Sequence, residues 1–431
     1  MTTEEDGAAG RPELPGLTIE QTGALRRFAR LKAGAVFMEQ GMGKSRVAVE
    51  LANHRARARR VDAVLWVAPC SVLSTVQDEV ERWGCDVPVR YLGYQTLSQA
   101  DRAYLETLAW AKTRKLLIVA DESGFIKNGW SKRHQRMVEL RRHAAYALAL
   151  NGTPLTRDLW DVKRQMDWLH PRILGTSDRA FGYRYFTLVE RSDPARGRRA
   201  WFEVYEPNVK HLRSLMERYI FEARLDIGLP EAELDISHDA GAGTRERYEA
   251  ERDEFFAAWE RYGEEIALYR LLGNLKRIAA CCPDKCASVA ERVDGQHTIV
   301  FCQYRAEQDT IAAALTGDHL VMSGSTPARA REEIFARFRA ERLPLLVTYG
   351  TGSFGLNLQH VASAHFASLP FDFGQVEQAR SRIRRLGQQH PLVYTTHTSD
   401  LGIDTLVARN LRNKSWLAQL MRREIDPSGI L

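Results

Sequence analysis

Residues 36–45, VFMEQGMGKS, form an apolar run that stops abruptly at two glycines, a lysine and a hydroxyl residue. Glycines at 41 and 43 let backbone N–H groups curl round a phosphate, and the helical pattern that follows, RVAVELANH, aims its positive end at the same point. Lys44 can reach β- and γ-phosphates, and Ser45 can ligate Mg²⁺. The full phosphate-loop pattern asks for a glycine five residues before Gly43, where Met38 stands; a tight glycine turn with a solvated lysine is the competing reading.

Two further sets of residues carry chemistry. The apolar run LLIVA at 116–120 leads directly into Asp121 and Glu122. A carboxylate at the end of a buried strand suits a Mg²⁺-organising role, and a neighbouring glutamate can position and deprotonate an attacking water. A solvated acidic pair is the plainer alternative. In QVEQARSRIRRLGQ, residues 375–388, Arg382 and Arg385 lie three apart and share a helix face. Aimed at phosphates, that guanidinium pair would stabilise charge developing during γ-phosphate cleavage, although composition alone would make it a surface helix. Gln21 can both donate and accept, as an adenine edge requires. Asn151-Gly152-Thr153-Pro154 ends another apolar run and can sense a γ-phosphate or form a simple turn.

These residues need a scaffold, and the pattern supplies one. Apolar runs at 63–68, 116–120 and 147–150 alternate with helical patterns, the mark of a parallel sheet covered on both faces. Alternation lapses from 161 to about 282, where aromatic and basic residues (Phe181, Tyr183, Arg184, Tyr185, Phe186, then RSDPARGRR at 191–199) precede a long charged helical pattern. It resumes at 298–301, 319–322 and 344–347. The expected fold is therefore α/β, with two parallel-sheet lobes separated by a helical insertion. The expected divisions are a flexible leader at 1–16, lobe one at 17–170, the insertion at 171–295 and lobe two with a closing helix at 296–431.

Composition limits the partners. The 431 residues carry 61 Lys and Arg against 55 Asp and Glu, a formal charge of +6 that permits a polyanionic partner without requiring one. The six cysteines fit neither a spaced disulfide framework nor paired zinc ligands, so a reducing cytoplasm is expected. No apolar run approaches the ~20 residues of a membrane span, and no membrane partner is expected.

Taken together the motifs resemble those of Swi/Snf-type ATPases of helicase superfamily two, and more closely the compact versions carried by bacteriophages and bacteria. MEQGMGKS is similar to their nucleotide motif I, in which the early glycine is also missing. VADESGFIKN resembles motif II, and LNGTPLTRDLWDVKRQMDWLHP resembles motif III with Asn151 in place of the usual threonine. VLWVAPCSVL, GYQTL, IVFCQYRAE and LLVTYGTGSFGLNLQ resemble motifs Ia, Ib, IV and V. The arginine helix resembles motif VI on Gln378, Ala379, Arg382, Arg385, Gly387 and Gln388, and GIDTLVARNLRNK resembles the closing helix. The similarity runs in order from Leu17 to about Lys414.

The resemblance implies two RecA-like lobes with ATP and Mg²⁺ between them and nucleic acid, double-stranded DNA above all, across both. It assigns Gln21 to adenine, Gly41, Gly43, Lys44 and Ser45 to phosphate, and Ser45 and Asp121 to Mg²⁺. Glu122 falls to water activation, Gln378 to the nucleotide side of motif VI, and Arg382 and Arg385 to arginine fingers; Cys281 and Cys282 become core residues. Departures are Phe371-Asp372-Phe373 where Trp-Asn-Pro is usual, Val76 near the position of a usual tryptophan, and Tyr349-Gly350-Thr351 in motif V. The expected function is an ATP-hydrolysing, DNA-stimulated translocase in the cytoplasm of a bacterial or phage-infected cell. The alternatives are a strand-separating helicase, which no visible separation pin supports, and an ATP-regulated DNA clamp with little turnover.

Overall fold

The computed structural model describes residues 16–152, 159–193, 197–262, 265–352, 358–385 and 387–421. In chain order the strands are β1 (Ala33–Met38), β2 (Ala63–Ala68), β3 (Val89–Gly93), β4 (Leu116–Ala120), β5 (Ala144–Leu150), β6 (Phe186–Asp193) and β7 (Gly197–Val204). They continue as β8 (Ile220–Ala223), β9 (Glu231–His238), β10 (Ile299–Cys302), β11 (Leu320–Met322), β12 (Leu345–Thr348), β13 (Ser363–Phe366) and β14 (Leu392–Ser399). One six-stranded sheet has the order β3-β2-β4-β5-β1-β8 and a second has β11-β12-β10-β13-β14-β9. Among the described residues all strand pairings within these two sheets are parallel. Two RecA-like α/β lobes result.

The strands form where they do because helices cover both faces. Every residue of β1, β2 and β4 is buried. An apolar side chain so enclosed contributes roughly 1.5–3 kcal/mol relative to exposure. Packing on one face of the first sheet is close enough to dictate a glycine: a Cβ on Gly34 would meet Phe28 Cδ1 at 2.5 Å, and Phe28 is fully buried. Gly34→Ala should therefore lower stability by about 1–3 kcal/mol, the usual cost of overpacking. A chemical-denaturation midpoint unchanged from the parent would show that Phe28 moves aside freely.

The stretch 171–295 is more than a helical insertion. β6 and β7 pair antiparallel as a hairpin. Its root is tied to lobe one by Phe181 and Tyr185, both fully buried, and by Trp160, whose ring stacks on Phe186 with centroids 5.6 Å apart. β8 then adds to the edge of the first sheet beside β1, and β9 to the edge of the second beside β14. The chain thus crosses between lobes over only the residues separating Ala223 from Glu231. The helices expected in this stretch follow, Gly241–Tyr262, Glu265–Ala280 and Pro283–Val293. Cys282 is fully buried, whereas Cys281 is only partly so; all six cysteines are free thiols.

The lobes also touch through apolar side chains. Phe373 and Val376 of the helix Phe373–Ile383, and Val407 and Leu411 of the helix Gly402–Met421, are buried in the same cluster as lobe-one core residues. No helix among the described residues is long and apolar enough to cross a membrane.

Candidate nucleotide site between the lobes

The loop after β1 is shaped before any ligand is considered. Gly41 and Gly43 adopt φ of +85° and +78°, a left-handed backbone that glycine enters without a Cβ penalty. A Cβ on Gly43 would lie 2.4 Å from Gln21 Nε2, so glycine is required there for space as well. The helix Lys44–Arg57 starts immediately afterwards, with its free N–H groups turned to the loop.

A cleft of about 370 Å³ opens in front of this loop. It is lined by Gly41, Gly43, Lys44, Ser45, Asp121 and Glu122 from lobe one and by Gln378, Arg382 and Arg385 from lobe two. Nine of the ten predicted site residues therefore meet in one place. Gln21 does not line the cleft. It sits behind the loop, buried, where its Nε2 donates to the Met42 carbonyl at 3.0 Å and its Oε1 accepts from the Thr18 N–H at 3.2 Å. The second bond belongs to a capping box at the start of the helix Ile19–Phe28.

Charges in the cleft are coupled. The Lys44 ammonium donates to the carbonyls of Met38 at 3.0 Å and Glu39 at 3.3 Å. Burial pushes its pKa down, while Glu122 and Asp121 pull it back up. Asp121 is pushed up to about 7 by burial and by repulsion from Glu122, against Lys44 and the hydrogen bond from Trp66 Nε1 at 3.2 Å. Its other oxygen accepts the Glu122 backbone N–H at 3.0 Å. Glu122 holds φ of +49°, one of three non-glycine residues with positive φ among those described, and such strain clusters at functional sites. Burial and the neighbouring Arg385 lower Arg382 to about 10, so it stays charged at neutral pH. Ser45 and Asp121 offer hard oxygen donors. Two protein ligands suit Mg²⁺, which keeps waters and takes phosphate oxygens for the rest of its shell.

Motif III connects to this centre through one glutamine. Gln165 Oε1 accepts from Ser123 Oγ at 2.6 Å and from Asn151 Nδ2 at 3.4 Å, joining the end of β5 to the residue after Glu122. A Cβ on Gly152 would stand 3.7 Å from Lys44 Nζ, which puts that turn beside the ammonium. Thr153 and Pro154 lie outside the described residues, as do residues 353–357 of motif V.

One wall of the cleft was not read from the sequence. The helix Leu73–Trp83 contributes Thr75, Val76, Glu79, Arg82 and Trp83. Two guanidinium groups lie over the Trp83 ring, Arg46 at 4.4 Å and Arg82 at 4.9 Å from its centroid. The spacing of 76, 79 and 83 is a helix-face signal that could have been used.

Comparison with known proteins follows the same lines. Residues 281–387 match the helicase conserved C-terminal domain family. Over 299 residues, 64% of this chain and 41% of the relative, the sequence is 22% identical to the SWI/SNF-related matrix-associated actin-dependent regulator of chromatin subfamily A-like protein 1 homolog of Caenorhabditis elegans. The chain is similar to Swi/Snf-type ATPases of helicase superfamily two. It is also 22% identical to the DNA annealing helicase and endonuclease ZRANB3 of Mus musculus over 441 residues, 93% of this chain and 39% of that protein. The Sulfolobus solfataricus SWI2/SNF2 ATPase core in complex with dsDNA is 18% identical, covering 95% of this chain and 94% of that one with a TM-score of 0.42. The chain spans about two fifths of the length of these two relatives.

Proposed function

We propose that the chain hydrolyses ATP in the inter-lobe cleft and uses the cycle to step along double-stranded DNA. The observation that carries this reading is the convergence of Lys44, Ser45, Asp121 and Glu122 from one lobe with Arg382 and Arg385 from the other. In this assignment the loop N–H groups and Lys44 hold the β- and γ-phosphates, and Mg²⁺ bound by Ser45 and Asp121 would neutralise developing phosphate charge. Glu122 orients and deprotonates the attacking water. Arg382 and Arg385 stabilise the transferred group, with Gln378 beside them. Gln21, held behind the loop by its bonds to Met42 and Thr18, braces the glycine turn, and Trp83 with Arg82 offers a flat surface for the base. DNA as the track is supported by similarity to the murine DNA annealing helicase and endonuclease.

The test is ATP turnover with no nucleic acid, single strands, blunt duplex and branched duplex. Turnover should rise most with intact duplex, and a triplex-forming third strand should be displaced while a plain fork stays paired. No stimulation by any nucleic acid would sink the motor reading. Binding should be sequence-tolerant, with log K falling against log salt by about 0.9 per phosphate contacted on duplex. A salt-independent affinity would remove the backbone track.

A second reading gains from the β6–β7 hairpin, because a two-stranded projection anchored on lobe one is a form that can split a fork. Side chains at 190–202 are outside the described set, so the candidate contacts at 191–199 rest on sequence alone. Replacing residues 188–202 by a short Gly-Ser linker should leave duplex-stimulated turnover and triplex displacement within about twofold of the parent if the hairpin is not the motor's grip. Fork unwinding in the parent that disappears in this variant would hand the function to a helicase.

A further inference from the structure

Outside the nucleotide cleft, a second concavity of about 370 Å³ lies at the amino ends of four adjacent strands of lobe two. His297 precedes β10, Arg339 and Arg342 end the helix before β12, Gln359 and His360 precede β13, and His390 precedes β14. Ligands of open parallel sheets ordinarily sit at the opposite, carboxyl edge. No carboxylate lines this pocket. Among the described residues neither Arg339 nor Arg342 has an acidic partner, so the positive charge is uncompensated.

The floor is built as well as charged. The rings of His297 and His360 pack on the fully buried Phe338, with centroids 4.8 and 5.6 Å from it and 5.4 Å from each other. The Phe338 backbone favours charge on His297, and Nε2 of each histidine is buried without a hydrogen-bond partner. Buried polar nitrogens left unsatisfied are uncommon and call for a partner. Arg342 holds φ of +56° at the end of its helix, where glycine is the usual occupant.

We propose that this pocket is an anion site that takes the phosphate group of a small molecule. Two guanidinium groups match phosphate geometry, and the recessed imidazole nitrogens bond its remaining oxygens. A recessed floor favours a small ligand over a duplex backbone, whose convex surface does not reach buried atoms. The site is separate from the nucleotide cleft yet shares a wall with it in sequence. Buried Gln388, three residues after Arg385, donates to the carbonyls of Val361 and Ile383, and the Arg382 carbonyl accepts the Leu358 N–H at 3.2 Å.

Binding takes up a proton. Burial holds both imidazoles neutral, with Arg342 opposing charge on His297, and with His297 and Arg339 opposing it on His360. A bare Nε2 meets an anionic oxygen favourably only once a proton lies between them, whether on the ring or on the phosphate. Affinity should accordingly rise as pH falls toward 6.

The experiment is calorimetry with inorganic phosphate on the full chain carrying Lys44→Ala, which silences the nucleotide loop. Saturable binding is expected, with heats that vary with buffer ionisation enthalpy. Adding Arg339→Ala and Arg342→Gly should weaken it by about tenfold or more, from the loss of two charge-assisted contacts. Glycine suits the backbone at 342 and Arg339 is exposed, so the thermal midpoint should hold; Arg339→Ala alone should weaken binding in the same direction. No saturable binding, or binding indifferent to both arginines, overturns the proposal. So does a blunt duplex that loses affinity in the double variant while inorganic phosphate does not bind, which would assign the pocket to DNA.

Discussion

Arg382→Ala is expected to lower kcat by about 10³–10⁵, the range for an arginine that stabilises a transferring phosphoryl group, while ATP affinity changes comparatively little. Arg382 is 5% exposed and enters the cleft from the last turn of the helix Phe373–Ile383, where Glu122 is close enough to favour its charged form. A guanidinium buried there is pre-positioned rather than recruited. Arg385 stands beside it, its Nε donating to the Ser381 carbonyl at 3.2 Å, and its removal should fall in the same range. Lysine should not rescue either position, because a point charge lacks the planar fork. Steady-state kinetics on the four variants checks this. Full activity of Arg385→Lys would reduce that residue to a surface contact.

Glu122→Gln should cut turnover by about 10²–10⁴ with ATP binding retained, since only the proton acceptor is lost. Glutamine is close to isosteric, so the left-handed backbone at 122 and the N–H bond to Asp121 are kept. Equilibrium binding of a fluorescent ATP analogue beside single-turnover hydrolysis separates the two quantities. If the variant failed to bind, Glu122 would be holding the nucleotide and not the water. Lys44→Ala is the contrast, because it removes the positive charge that the loop itself supplies.

Much of the cleft could be read from sequence because its residues sit at ends of strands whose apolar runs are unmistakable. β1, β2 and β4 are buried on both faces, and each hands its carboxyl end to a loop rich in polar residues. Edge strands left no such trace. β9 reads EAELDISH and is largely exposed, so acidic residues interrupt the pattern that would have marked it, and β8 is only four residues long. The hairpin was hidden among charged residues for the same reason. Gln21 shows a different limit: an amide that can face adenine can equally cap a helix and brace a glycine loop, and only position separates the two. Asp372 replaced an expected asparagine, yet it meets Lys127 of the other lobe at 3.5 Å, a use that no single-chain pattern encodes.

Glu39, at the exit of β1, lies where the connection between the lobes and the arginine helix come together. Its carboxylate accepts the Leu225 N–H at 3.0 Å, on the crossing segment, and pairs with Arg384, which also holds Glu231 at 2.6 Å. Ser381 Oγ reaches Gln40 at 2.8 Å one residue further on. The molecule is thus a door hung on the same post that carries its lock. If this corner is the pivot, the expected opening is a swing about it, with the largest travel at the far rim of the lobes. Glu39→Gln loosens the post itself. Single-molecule distance distributions between labels on the far rims should broaden in that variant, and a width equal to the parent's would place the pivot elsewhere.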